Sequence, residues 1–223
     1  MIVAIDGPAG SGKSSVAQRV AEALGFLYLN SGRLYRAVTY CVLRQVENPE
    51  DPASIVPMLP QCRIRLEGTR VYLGDERVDE QLHTDEVDAW VATHSAIPEV
   101  RSMVNEMLHQ FAREHDSVVE GRDMTTVVFP DAEVKVYLDA SLEARAQRRY
   151  NQGTSEKSLE EIRDSIRRRD ELDEKKPGGR LERSDDAFYL DTSHLTMETV
   201  CDTVLRNIHR HIKSSGTVEK HER

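Results

Sequence analysis

Long apolar runs are missing from this 223-residue chain. No stretch approaches the about 18 consecutive apolar residues that a membrane-crossing helix needs. Positive charge is also short: 30 Lys and Arg against 39 Asp and Glu leave a formal net charge of −9. That balance counts against general affinity for nucleic acid or an anionic membrane, and it confines any cationic patch to a local site for a small anion. Cysteine is scarce. Cys41, Cys62 and Cys201 stand far apart and match no metal-ligating spacing, so reduced thiols in a cytoplasmic protein are expected. The chain opens on Ile2-Val3-Ala4-Ile5 with no basic segment ahead of a long apolar one, and no secretory leader is expected. Neither repeats nor low-complexity tracts dilute the 39% hydrophobic residues. That is enough for one sizeable core, with room for a small inserted subdomain.

What the chain does contain is an alternation of short apolar runs and longer helical patterns. Ile2–Ile5, Phe26–Leu29, Ser117–Val119, Val134–Leu138 and Ala187–Leu190 are the strand candidates. Their continuous apolar character predicts strands covered on both faces, as in a parallel sheet. Val16, Val20 and Leu24 recur every four residues, with Gly25 placed to end that helix. Val100, Met103, Val104, Met107, Leu108 and Phe111 form a second helical stripe. The rhythm predicts a doubly wound α/β fold. Two regions depart from it. Residues 49–60 carry four prolines and read as an irregular connection. Beyond them, Ile64, Leu66, Val71, Leu73 and Val78 alternate with polar residues around Glu67-Gly68 and Gly74-Asp75, the pattern of a small antiparallel meander. Residues 156–176 are densely charged, with a thin apolar line of Leu159, Ile162 and Ile166, and read as a solvated helix.

The strongest local signal is Gly7-Pro8-Ala9-Gly10-Ser11-Gly12-Lys13-Ser14, which fits G-x-x-x-x-G-K-[ST] between a strand and an amphipathic helix. Glycines let successive backbone N–H groups turn inward onto phosphate oxygens, and the helix beginning near Lys13 adds its positive end. Lys13 is expected at the β- and γ-phosphates of ATP, the Ser14 hydroxyl in the Mg²⁺ shell, and Ser15 at the α-phosphate. The competing reading is a glycine turn with an incidental lysine, and the flanking strand and helix count against it.

No Asn-Lys-x-Asp guanine motif accompanies this loop, so a regulatory GTPase is not expected. Arginines instead cluster where a second, phosphate-bearing substrate would sit. Asn30-Ser31-Gly32-Arg33-Leu34-Tyr35-Arg36 follows the second strand and Glu120-Gly121-Arg122-Asp123-Met124 the third. In an open α/β sheet, ligands bind beyond the carboxyl ends of the strands. Arg122 suits a bidentate phosphate clamp, and Glu120 or Asp123 suits a magnesium-bound water or the orientation of an arginine. Arg167-Arg168-Arg169-Asp170-Glu171-Leu172-Asp173 lies in the charged segment, where mobile arginines would close over a transferring phosphoryl group. Each of these arginines also has a plainer reading as a solvated or ion-paired surface residue.

Taken in order, the phosphate loop, N-S-G-R-L-Y-R (30–36), E-G-R-D-M-x-T-V-V-F-P-D-A (120–132), V-Y-L-D-A-S-L-E-A-R-A-Q-R-R (136–149), R-D-x-x-D (169–173) and D-D-A-F-Y-L-D-T-S (185–193) resemble bacterial cytidylate kinases over residues 1 to about 210. The resemblance implies a P-loop three-layer fold: a five-stranded parallel sheet, a small antiparallel monophosphate-binding insert and a helical lid. It gives one domain over 1–215, with core 1–38, 100–150 and 180–212, insert about 39–99, lid about 151–179, and a frayed tail at 213–223. It implies Mg²⁺-dependent transfer of the ATP γ-phosphoryl group to CMP or dCMP, by a cytoplasmic monomer without nucleic-acid or membrane partners. Another small acceptor, such as UMP or shikimate, and an ATP-driven switch are the alternatives. By motif, Ser31, Arg36, Arg101, Arg122, Asp123, Arg169 and Asp173 surround the acceptor, and Lys13, Arg122 and Arg169 carry catalysis. Arg145 and Arg148 share a helical face that points either to ATP or to solvent. Three positions depart from the family pattern: Ala92 in place of a serine, Thr125 in place of a glycine, and Lys176 in place of an arginine.

Overall fold

The computed structural model describes residues 1–153, 157–176 and 178–218. Five parallel strands, β1 (Ile2–Asp6), β2 (Leu27–Asn30), β6 (Ser117–Gly121), β7 (Val134–Asp139) and β8 (Phe188–Asp191), lie in the order β2-β6-β1-β7-β8. All five run where the apolar segments predicted them. Adjacent residues of β1 feed opposite cores. Ala4 joins Leu29 and Val119 beneath helices α2 (Ser31–Gln45) and α5 (Pro98–Glu114). Val3 and Ile5 join Val118, Val136 and Leu138 beneath α1 (Lys13–Leu24) and α8 (Met197–Val218). Burial on both faces fits the unbroken apolar runs of β1 and β6, whereas β7 and β8 depart from that expectation: their burial alternates, with Lys135, Tyr137 and Asp139 half-buried and Tyr189 and Asp191 exposed, because β8 is an edge strand. The result is three layers.

Helix ends follow local chemistry. Gly25 ends α1 in the left-handed region at φ 69°. Asn30 caps α2 by accepting from the Arg33 N–H at 3.1 Å. The charged segment forms α7 (Leu159–Lys175), opened by a reciprocal Ser158–Glu161 capping box. Two of the three residues in its thin apolar line, Ile162 and Ile166, bury against Ala146 of α6 (Leu142–Asn151), while Leu159 remains exposed. α8 runs through Val218. Residues 154–156, 177 and 219–223 of the expected lid and tail lie outside the described residues.

The meander appears as β3 (Ile64–Glu67), β4 (Arg70–Leu73) and β5 (Glu76–Arg77), an antiparallel sheet whose Val71 packs with Val78 and Leu82 against Ala37 of α2. A further helix, α4 (Asp85–His94), leads into α5. The proline-rich connection is more regular than expected. Asp51 caps a short helix, α3 (Pro52–Ile55), and a 3-10 turn, Val56–Gln61, continues from it. Prolines at first-turn positions are compatible with helix, because their missing N–H would have no intrahelical partner there.

This fold-back corrects the expectation of three reduced thiols. Cys41 of α2 and Cys62 are 21 residues apart in sequence, yet their Cα atoms lie 6.0 Å apart and the sulfurs are joined as a disulfide. The linear separation concealed the pairing because the α3 segment doubles back onto α2. Among the described residues only Cys201 is free, and no helix is long and apolar enough to cross a membrane.

Candidate active site

The phosphate loop leaves the carboxyl end of β1 with backbone that only glycine accommodates. At Gly7, φ is +151° and an added Cβ would lie 2.0 Å from the Leu138 carbonyl oxygen. Any side chain there would force the loop off β7. Lys13, in the first turn of α1, is buried and donates to the Pro8 carbonyl at 2.9 Å. Burial, then the neighbouring Arg122 charge, lowers its pKa to about 7 against the pull of Glu120, Asp6 and Asp173. Ser11 is buried, and its hydroxyl has no hydrogen-bond partner among the described residues. Ser14 and Ser15 are exposed at the helix start. A curled backbone, an orphaned hydroxyl and a buried cation together fit a polyphosphate.

Arg145 and Arg148 hold this loop from behind. Arg145 donates to the Ala9 carbonyl at 3.1 Å and the Ala140 carbonyl at 2.9 Å, and it pairs with Asp170 of α7. Arg148 donates to the Ser11 carbonyl at 3.3 Å and the Thr192 hydroxyl at 3.0 Å. Their shared face therefore meets the loop's outer side rather than solvent. Sequence reasoning passed over Thr192, whose hydroxyl lies 3.2 Å from the Ser11 carbonyl and 2.9 Å from that of Asp139.

Most of the residues expected at an acceptor lie near the carboxyl ends of β1 and β6. Arg122 donates through Nε to Asp173 at 2.8 Å and through Nη1 to the Gly7 carbonyl at 3.2 Å. Its partner is thus Asp173 of α7, not the adjacent Asp123. Asp123 instead takes the Arg101 guanidinium of α5, which lies 6.0 Å from the centre of the Tyr35 ring. Arg169 approaches Asp173 at 3.7 Å, and Lys176 reaches it at 2.7 Å. Burial acts to raise the Asp173 pKa, but Arg122, Lys176 and Arg169 outweigh it and hold the carboxyl well below the usual carboxylate range. For Arg169, burial and the Arg122 charge lower the pKa. Ser31 donates to the Glu120 carbonyl at 2.8 Å, close under Gly121. Arg36 sits on the far side, donating to the Leu82 carbonyl at 3.0 Å and pairing with Asp88 of α4.

The three departures from the family pattern each have a local partner. Lys176 bridges from Asp173 to the Ser95 hydroxyl at 2.8 Å, and Ser95 donates to the Ala92 carbonyl at 2.9 Å. Thr125 bonds to Asp6 through its hydroxyl. Ser95 lies three residues from the Ala92 departure in sequence, whereas Asp88 and Asp6 carried no motif signal and only the fold brings them near these residues.

Comparison with known proteins follows the same boundaries as the motifs. The cytidylate kinase family model matches residues 3–210. The chain belongs to the cytidylate kinase family. The cytidylate kinase of Caldanaerobacter subterraneus subsp. tengcongensis is 41% identical over 215 residues, covering 95% of this chain and 96% of the relative. That of Borrelia hermsii is 39% identical over 211 residues, covering 92% and 97%. Among solved structures, an uncharacterized protein from Eubacterium ventriosum aligns with a TM-score of 0.50 at 12% identity, covering 94% of this chain and 98% of that one. That likeness speaks to the fold alone.

Magnesium fits the donor set of this cytidylate kinase in a limited way. Ser14 stands exposed at the loop. Buried Glu120 accepts from Tyr28 and Asn30 on one oxygen, both at 2.6 Å, and the Tyr28 hydroxyl faces Ser14. Among the described residues no cluster of three or more metal-ligating side chains exists. One protein hydroxyl, one carboxylate acting through water and substrate phosphates are the sparse set that Mg²⁺ uses in kinases.

Proposed function

We propose that this cytidylate kinase transfers the γ-phosphoryl group of ATP directly to a phosphate oxygen of CMP or dCMP, releasing ADP and CDP or dCDP. The observation that carries the reading is the reach of Arg122, from the Gly7 carbonyl of the phosphate loop to Asp173 of the lid helix. One guanidinium thereby borders both nucleotide subsites. Lys13 and the loop amides would hold the β- and γ-phosphates. Ser14, and Glu120 through water, would hold Mg²⁺, which would supply charge neutralisation for the phosphates. Arg36, Arg122 and Arg169 would bind the acceptor phosphate, Ser31 and Asp173 the ribose side, and Arg101 with Asp123 the base.

The acceptor phosphate is already an anionic nucleophile, so no general base is required, and catalysis reduces to positioning and charge neutralisation. Buried Lys13 and half-buried Arg122 suit that role, because fixed charges act more strongly where water is excluded. Residues 39–99 would act as the acceptor insert and 151–179 as the lid, in a cytoplasmic monomer. A switch with slow hydrolysis is disfavoured by the arginines gathered opposite the phosphate loop. A coupled assay across CMP, dCMP, UMP, AMP and shikimate tests the reading. Turnover with CMP or dCMP well above the others supports it. Efficient turnover of UMP or shikimate with none of CMP overturns it.

A further inference from the structure

We propose that Thr125, through its hydroxyl bond to Asp6, is a positioning residue that sets the acceptor arm Arg122–Asp123 against the phosphate loop. The inference rests on the reading of Arg122 and Asp123 as acceptor-binding residues.

Asp6 is the last residue of β1, directly before Gly7, and it lies in register with Gly121 of β6. Its side chain is wholly buried. Oδ1 accepts the Met124 N–H at 2.9 Å, and Oδ2 accepts both the Thr125 N–H and the Thr125 hydroxyl at 2.7 Å. These donors open the short π-helical turn Met124–Val128, which has no side-chain cap of its own. Asp123 precedes that turn but has turned its carboxylate to Arg101. The first N–H groups of a helical turn would otherwise lack partners in a buried setting. A carboxylate from the neighbouring strand supplies them.

The consequence is a two-residue arm fixed at both ends. Gly121 is held in the sheet, Met124 and Thr125 are held on Asp6, and Arg122 and Asp123 project between them. Because Asp6 also begins the phosphate loop, the clamp fixes the separation of the donor and acceptor subsites. Burial raises the Asp6 pKa to about 6, opposed by the bonds from Thr125 and Met124. Asp123, Lys13 and Tyr137 also face this carboxylate. Removing the hydroxyl leaves both backbone bonds in place, so the turn persists while its register against the loop slackens. Sub-ångström misplacement of a positioning group is enough to weaken substrate capture.

Thr125→Val keeps the side-chain shape and deletes the hydroxyl, and Thr125→Ser restores it. Steady-state kinetics with each substrate varied, together with thermal melting, test the proposal. Thr125→Val is expected to raise KM for CMP about fivefold to twentyfold and to leave KM for ATP within about twofold, with a melting point close to the parent's. Thr125→Ser is expected to return KM for CMP to within about twofold of the parent. A folded Thr125→Val with unchanged KM for CMP overturns the proposal. So does an equal rise in both KM values that serine does not rescue. Should Thr125→Val fail to fold, Thr125→Ala gives the same reading, and failure of both overturns it by making the bond purely structural. Arg122→Ala separates the two layers. If it raises KM for CMP while Thr125→Val does not, only this inference falls; if it leaves KM for CMP unchanged, the acceptor reading falls as well.

Discussion

Arg36 of α2 and Asp88 of α4 form an ion pair at the end of the cleft where the acceptor phosphate would bind. The Asp88 carboxylate also acts on Arg169. One protein anion therefore competes with substrate for two of the arginines. The pair is partly exposed, 17% and 34%, so it contributes at most about 1 kcal/mol. Asp88→Asn is expected to lower KM for CMP by up to about fivefold with kcat little changed. An unchanged or raised KM in steady-state assays would show that Asp88 orients Arg36 instead.

Lys13→Ala is expected to lower kcat by about two to three orders of magnitude while leaving the circular dichroism spectrum intact. Lys13 is buried beside the loop carbonyls but belongs to no apolar cluster. Near-full activity would remove it from the phosphate site.

ATP binding is expected to take up a proton at pH 8. The Lys13 pKa lies near 7, so much of the free protein carries it neutral there, whereas a bound polyphosphate favours the charged form. Affinity for ATP then falls as pH rises from about 7 to 9. Calorimetric titration in two buffers of different ionisation enthalpy measures the uptake. Equal observed heats in the two buffers, before any correction for buffer ionisation, would contradict it.

Asp173 links Arg122, Arg169 and Lys176 from a nearly sealed position. Its folded pKa lies below the unfolded value, so its contribution to stability is present above about pH 4 and is lost as pH falls below that. Asp173→Asn leaves the partly exposed Arg122 and Arg169 and the more buried Lys176 without their shared carboxylate and is expected to cost about 1–3 kcal/mol. Urea unfolding at pH 7 and pH 3.5 reads both effects. The variant's deficit should be smaller at the lower pH.

The Cys41–Cys62 bond closes a 21-residue separation, for which chain-entropy arguments give about 3 kcal/mol. Melting with and without a phosphine reductant should show a clear downward shift in the parent. Cys62→Ala should melt lower and ignore the reductant. A parent insensitive to reductant, with two free thiols by titration, would show that the bond does not form in solution.

Most of the frame was legible from the chain itself. β1 and β6 are buried on both faces and read as apolar runs, β7 and β8 alternate but keep Val134, Val136, Leu138, Phe188 and Leu190 as their apolar side, and Gly25 marks the end of α1 through its backbone freedom. The phosphate loop was legible because its chemistry depends on neighbours in sequence. Much of the acceptor site was not, because it depends on neighbours in space. Arg122 gave no sign that its partner is Asp173 rather than Asp123, since that choice is made by packing α7 across the cleft. Asp88 and Ser95 resemble ordinary helix-surface residues until α4 is placed against α2 and the lid. Prolines 52 and 57 argued for irregular chain, although first-turn positions accept them. Cys41 and Cys62 looked remote for the same reason: the segment between them reverses direction.

The Thr192 hydroxyl props the Ser11 carbonyl from 181 residues away in sequence. During synthesis the loop that would grip ATP is among the first parts to leave the ribosome, while its prop is among the last. A nascent chain ending before β8 would hold Arg145 and Arg148 behind the phosphate-binding glycines but would lack the Thr192 prop. The last of the three side chains behind the loop would therefore arrive only once the edge strand has docked.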